Sequence, residues 1–386
     1  MSARPTPSTD RQLSLDLLRA IAIAMMVVVH FVENLSGSHG IDGGPMIGAN
    51  RVWWLPTGFA APIFTFLSGV NYRLWAARQA HGGRDDEAIS KTTIRRGLFL
   101  FGLGFVFNIL VWMPADTFNW DILTFTGSGL LALDVVRRMP PGVALAACGL
   151  VLLASPLLRE RADYNAYWTE GYFDPDLTLS DVMLGYLVTG FFPLLPWIVY
   201  PVVGYVAAGE LFPTEIRGKP ADHGRRAGLA GLLLVVASLA ILTVEPLLPI
   251  RLGRNGSFFW TMFPASTPYV LGTLGTALAA TALLRWAVDR KQQPAWAQAV
   301  APWASLFSRY SLSLYLLHHV VHVWPLWWAG LATGGGDTMV YWQRAMPAWQ
   351  SFGLALIFLA VAAVTFRSIH ARRIPTVESL MRWLCD

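Results

Sequence analysis

Charge is what this sequence has least of. Of its 386 residues only 14% are Asp, Glu, Lys or Arg, against roughly 25% in soluble globular domains. So few charges could not cover a water-facing surface of that size. The shortage excludes a soluble multidomain enzyme, a disordered chain and a coiled coil. Cysteine is scarcer still: Cys148 lies inside an apolar run and Cys385 near the carboxyl end. Two such residues supply neither a disulfide framework nor a metal-ligand spacing. Acidic residues (24) fall behind basic ones (29), but the surplus is spread along one side of a membrane and is no nucleic-acid signature. What the chain has in quantity is apolar and aromatic: 54% hydrophobic residues, 17 Trp and 21 Phe, with a mean hydropathy of +0.46. Its solvent is lipid.

A helix crossing the hydrocarbon core needs about 20 mainly apolar residues. Windows of that length predict about ten spans, at 15–35, 53–75, 97–113, 122–136, 143–158, 182–208, 227–248, 268–288, 312–330 and 350–366. The fourth and fifth are short and joined by Arg-Arg-Met-Pro-Pro-Gly, which predicts a tight helical hairpin. The sixth is overlong and carries Pro193, Pro196 and Pro201, which predicts a kinked or re-entrant segment. The expected architecture is an all-α, polytopic helical bundle. A polar tail at 1–12, a single membrane domain at 13–370 and a second tail at 371–386 complete the chain. No cleavage site follows the first apolar run, so it reads as a retained helix. With Arg285 counted at the end of its span, 21 of the 29 Lys and Arg fall on the side of the two termini and six on the other. Arg19 and Arg73 lie within spans. The bias predicts both termini in the cytoplasm, in a bacterial inner or plasma membrane.

The first span holds two ionisable residues, Arg19 and His30, with Asp16 one turn before the arginine. Eleven residues at 100° each end about 20° past three full turns, so Arg19 and His30 share a helix face about 16 Å apart along the axis. An ionisable residue at membrane depth faces a bundle interior or a water-filled cavity and marks a functional site by default. The competing structural reading pairs Arg19 with Asp16 at the interface and makes His30 an interhelical hydrogen-bonder. In the functional reading, Arg19 presents positive charge to a cytoplasmic anionic donor or oxyanion, and His30 serves as a base near neutral pH.

Arginine, ten residues and histidine in a first helix resembles the motif of the acyltransferase-3 family. The opening RQLSLDLLRAIAIAMMVVVHF is similar to the start of the heparan-α-glucosaminide N-acetyltransferase catalytic region and its bacterial relatives. FAAPIFTFLSGVNYRL, NWDILTFTGSGLL, FFPLLPWIVYPVVGYVAAG and RYSLSLYLLHH resemble four further helices of those relatives, in the same order. Ala20 stands where that family has glycine. Its external-loop histidine has no matching motif, although His39 stands nearby. The resemblance implies transfer of an acyl group, acetyl above all, from cytoplasmic acyl-CoA to a hydroxyl or amine of a carbohydrate or related small acceptor. It implies His30 as base or acyl carrier and Arg19 as donor or oxyanion charge. His318 fits the family's Tyr-Leu-x-His position.

Other residues carry two readings each. Asp121 is either a helix cap or a group that orients His30 or an acceptor hydroxyl. His319 and His322 read as interhelical hydrogen-bonders. With no carboxylate or cysteine within a turn of the three histidines, no metal is expected. Arg73, with Arg78, Arg95 and Arg96, either meets CoA phosphates or is ordinary positive-inside charge. Asn71 and Asn108 read as interhelical contacts. The external segment 159–181, with Tyr164, Tyr167, Trp168, Tyr172 and Phe173 among acids, suits either a sugar or an interfacial belt. Acyl-CoA, the acceptor and membrane lipid are the expected partners, no nucleic acid is expected, and homodimerisation stays open. The alternative function is a transporter or permease using Arg19, His30 and His318 as a substrate or proton pathway. A catalytically silent relative is the third reading.

Overall fold

A computed structural model describes residues 11–36, 58–112, 117–166, 178–213, 216, 224–244, 260–289, 293–333 and 345–386. His39 and the segment from Tyr167 to Asp176 lie outside the described residues. The principal elements are α1 (Leu13–Ser36), α2 (Ala60–His81), α3 (Asp86–Phe107), α4 (Ile122–Val136), α5 (Pro141–Arg161), α6 (Leu179–Leu184) and α7 (Val199–Leu211). They continue with α8 (Arg225–Val244), α9 (Thr267–Val288), α10 (Ala295–Arg309), α11 (Ser311–Thr333), α12 (Ala348–Arg372) and α13 (Val377–Cys385). No strand occurs among the described residues; a single bridge joins Met262 and Ala265.

Among the described residues, seven helices are long and apolar enough to cross a membrane: α1, α3 with its π-helical end, α5, the α6–α7 stretch, α8, α9 and α12. The other three predicted spans also fall on helices, each with a physical reason for standing apart. α4 has 15 residues, about 22 Å at 1.5 Å per residue, short of the roughly 30 Å hydrocarbon core. α2 and α11 are 22 and 23 residues long, but Asn71 and Arg73 dilute the first and three histidines the second. The expected break in the sixth span is present. α6 passes into a π-turn at Gly185–Thr189, the chain leaves helical geometry, and α7 begins only at Val199.

Polar side chains set several helix starts. Asp85 accepts from the Ala88 N–H at the start of α3, and Ser266 accepts from that of Tyr269 at the start of α9, filling donors that a first turn leaves unmatched. The tight turn after α4 is tied to α3 by charge. Arg137 bonds Asp86 and Asp134, while Arg138 reaches Asp134 at 2.9 Å and Asp86 at 3.0 Å. The carboxylates of Asp134 and then Asp86 hold the Arg138 guanidinium above its ordinary value. Helices α2 and α7 cross at backbone contact. A Cβ on Gly69 would lie 1.9 Å from the Pro201 carbonyl oxygen, and one on Gly204 2.1 Å from that of Phe66. Only glycine permits that approach.

α1 is the hub, packing against α2, α9, α10, α11 and α12. Two of these principal helices lie outside the predicted spans. α10 occupies the connection before α11 and buries Ala297, Ala304 and Ser308 along one face while Trp296, Val300 and Trp303 stay exposed. α13 likewise exposes Leu380, Trp383 and Leu384 and buries Cys385. Both alternate polar and apolar faces, so neither reads as a continuous apolar run.

Candidate active site

The amino-terminal half of α1 carries charge that its neighbours satisfy. Asp16 accepts from Arg11 at 2.5 and 3.1 Å and from the Ser305 hydroxyl at 2.8 Å. The Ser14 N–H and hydroxyl both donate to Asp289. Arg19 donates to the Ser308 hydroxyl at 3.0 Å, at the end of α10. The expected Asp16–Arg19 pair at i, i+3 gives way here to Arg11 on Asp16 and Ser308 on Arg19. Arg11, just before α1, and Ser308, at the end of α10, take the two partners' places.

The carboxyl-terminal half presents imidazoles. His30 Nδ1 lies 2.8 Å from His318 Nε2, and Asn34 Nδ2 lies 2.8 Å from His322 Nε2. His30 and Asn34 are one turn apart on α1, as His318 and His322 are on α11. The two contacts therefore form successive rungs between helices running in the same direction. This is the relation expected of the first and ninth spans in an alternating topology. Rings of His30 and His318 stack with centroids 5.1 Å apart and a 16° interplanar angle. His318 and His319 are buried.

Backbone carbonyls decide the proton positions. The Nδ1 atoms of His318, His319 and His322 lie 3.0, 3.1 and 2.5 Å from the carbonyl oxygens of Leu314, Tyr315 and His318. A carbonyl only accepts, so each of these Nδ1 atoms carries hydrogen and each Nε2 carries a lone pair. His318 Nε2 is then the acceptor of its bond with His30. His30 donates from Nδ1, and its basic lone pair is at Nε2. One histidine orients the other and sets its tautomer, the arrangement that activates a base.

Asp121 fills both of its expected positions in part. Its Oδ1 accepts from the Leu123 N–H at 2.7 Å, capping α4, and its Oδ2 accepts from the Tyr315 hydroxyl at 2.5 Å. The carboxylate therefore grips α11 one turn before His318 and His319 rather than His30 itself. Tyr315 is a site residue that only the fold reveals; the motif contains it, but nothing in the sequence assigns its hydroxyl a partner. Rings of Phe107, Trp112 and Tyr315 pack around His319 at 5.0, 5.4 and 5.1 Å. Asn108 donates to Asn119 Oδ1 at 2.8 Å, bridging the end of α3 to the segment before Asp121. Asn71 donates to the Leu67 carbonyl within its own helix, not to a neighbouring one.

The arginines expected to meet a donor fall in two places. Arg73 covers the Tyr205 ring at 4.3 Å and Arg96 the Trp75 ring at 4.8 Å. Tyr72 stands between them, 6.0 Å from Tyr205 and 5.9 Å from Trp75, so aromatic rings join the two guanidinium groups. Arg96 also donates to the Asp386 carboxylate. Arg95 is exposed, and Arg78 turns back to the Leu74 carbonyl. Arg19 lies elsewhere, on α1.

The family described as heparan-alpha-glucosaminide N-acetyltransferase, catalytic, matches residues 11–244. The matched segment contains Arg19, His30, Arg73, Arg95, Arg96 and Asp121 and stops before α11, so His318 enters the site from beyond it. A search of curated proteins gives no match. Because the match spans more than half of the 386 residues and takes in the helix that carries His30, the chain belongs to this acetyltransferase catalytic family.

Proposed function

We propose that this protein is a membrane acyltransferase that moves an acyl group, acetyl in the first instance, from cytoplasmic acyl-CoA to a hydroxyl or amine of a carbohydrate or related small acceptor. The observation that carries the reading is the His30–His318 pair, whose tautomers leave the basic nitrogen of His30 at Nε2. The acceptor O–H or N–H gives its proton to His30 Nε2 as the acceptor atom forms its bond to the acyl carbon. His318 Nε2, accepting from His30 Nδ1–H, stabilises the imidazolium. The C–S bond of the thioester then breaks, and the departing thiolate takes the proton back from His30. If His30 carries the acyl group, Nε2 attacks the thioester carbon and expels the CoA thiolate; the acceptor then attacks the acyl carbon, the Nε2–acyl bond breaks, and the acceptor's proton goes to the thiolate. Asp121 acts through Tyr315 by fixing α11, and is a positioning residue.

About 16 Å along α1 separates Arg19 from His30, too far for both to meet one reacting carbonyl. Arg19 therefore serves the far end of the donor, where the long pantetheine arm ends in phosphates, and Arg73, Arg95 and Arg96, in the second place, are the other candidates for those phosphates. Asp386 must yield Arg96 for that. The excess of Lys and Arg on the side of the termini supports a cytoplasmic donor, with His30 toward the opposite face.

The test is release of free CoA from acetyl-CoA by the purified full-length chain with amino-sugar and sugar acceptors. His30→Ala should abolish release above background, and unchanged release would overturn the assignment. Radiolabel retained on the quenched protein without acceptor distinguishes carrier from base. The transporter reading draws on the broken helix between α6 and α7, a device of substrate pathways. Uptake of an acceptor into proteoliposomes with no CoA release would favour it.

A further inference from the structure

Base catalysis by His30 with His318 behind it leaves His319 without a part. Yet His319 is buried and its ring centroid lies 4.6 Å from that of His30 and 4.0 Å from that of His318. One ring nitrogen from each of the three residues lies within 4.8 Å of the others. The backbone bonds from Nδ1 of His318 and His319 hold both Nε2 lone pairs in fixed directions, the support that histidine ligands of metals receive. We propose that His30, His318 and His319 form a three-imidazole site for a divalent cation of the zinc class.

Neutral imidazoles without thiolate or carboxylate ligands suit zinc and its neighbours rather than magnesium or calcium. Three histidines with a fourth position open is also the ligand set of catalytic rather than structural zinc. Geometry sets the cost of occupancy. Nitrogen ligands at about 2.0–2.1 Å from a tetrahedral ion are about 3.3 Å apart. The 2.8 Å His30–His318 contact would therefore open by about 0.5 Å, and the widest separation would close by up to about 1.5 Å. Side-chain rotations of that size require no movement of α1 against α11. The ion replaces the proton that the pair shares. His30 shifts that hydrogen to Nε2, and all three ligands stay neutral. Two acids stand close by: Asp121 bonds Tyr315, whose ring packs on His319 at 5.1 Å, and Glu33 follows His30 by about one turn on α1.

The inference shares His30 and His318 with the acyl-transfer reading but describes a different state of them: with the ion on Nδ1 the hydrogen of His30 sits on Nε2, the atom that base catalysis needs unprotonated, and the test reads metal and not turnover. Full-length, tag-free protein is stripped with chelator, equilibrated with zinc, passed through a desalting column and measured for metal. The expected result is one zinc per chain, with affinity lowered at least tenfold in His319→Ala and in His319→Gln. His322→Ala, whose Nε2 contact is with Asn34, should retain zinc within threefold. Cobalt in place of zinc should give the visible absorption of a four-coordinate ion in the unaltered chain, which keeps the test alive if a variant fails to fold. Metal well below one equivalent, or equal zinc in both His319 variants, would overturn the proposal.

Discussion

The two halves of α1 treat polar groups in opposite ways. In the first half each ion meets an opposite charge or a dipole: Asp16 meets Arg11 and Ser305, Asp289 meets Ser14, and Arg19 meets Ser308. In the second half, imidazoles meet imidazoles: His30 bonds His318, with His319 beside both. The difference teaches where chemistry can occur. An acid against a base settles the proton, and what remains is a structural contact whose value lies in holding helices together. Two groups of the same kind leave the proton to be decided by a third party, here the Leu314 carbonyl, so it can move when substrate arrives. In the proposed reading, the low-charge helix thus carries a donor-holding, charge-paired end and an imidazole end where the proton moves.

Four substitutions would break or sharpen this contrast. His30→Ala should have the largest effect, lowering kcat/KM for acyl transfer by about 10²- to 10⁴-fold with little change in thermal melting. A loss of less than about tenfold would move the chemistry off α1. His318→Gln should come next, at about 10- to 100-fold. Its signature is a displaced pH–rate profile, because His318 sets the tautomer and basicity of His30; an unchanged profile would reduce His318 to a packing role. At the other end, Asp16→Ala should cost about 2 kcal/mol of stability. That is less than the roughly 3–5 kcal/mol for breaking a fully buried pair, because Arg11 is 34% exposed. Transfer per folded molecule should not change. Arg19→Gln should have the smallest effect, raising KM for acyl-CoA several-fold at near-constant kcat, the pattern of lost donor binding. A fall in kcat with no change in KM would place Arg19 at the reacting carbon instead.

Much of this contrast is legible in the sequence, and the illegible part has definite physical causes. Arg19 and His30 stand out because ionisable groups are costly in lipid, and helix geometry alone puts them on one face. The kink among Pro193, Pro196 and Pro201 follows from proline's missing donor. Asp121 was legible as a cap, since capping is local. Its bond to Tyr315 was not, because 194 residues separate them. α10 escaped notice for another reason. An amphipathic helix packed on α1 is too polar to register as a span. The histidines of α11 were visible as a run, yet with no acidic or thiol ligand within a turn they read as a family position and two interhelical hydrogen-bonders. The fold instead gathers His318 and His319 around a residue 288 positions away.

By itself, the sequence determined the solvent, the helical class and the likeness to an acetyltransferase catalytic region, and it named the helix on which the candidate site begins. These depend on composition, on proline and glycine positions and on a 3.6-residue period, all of them local quantities. Only the tertiary structure decided that Arg19 goes to Ser308, that Asp121 holds α11 through Tyr315, and that His30 meets two imidazoles. Each of those depends on which helices become neighbours. In a bundle where nearly every surface is apolar, the few polar groups select their partners only once the helices are packed.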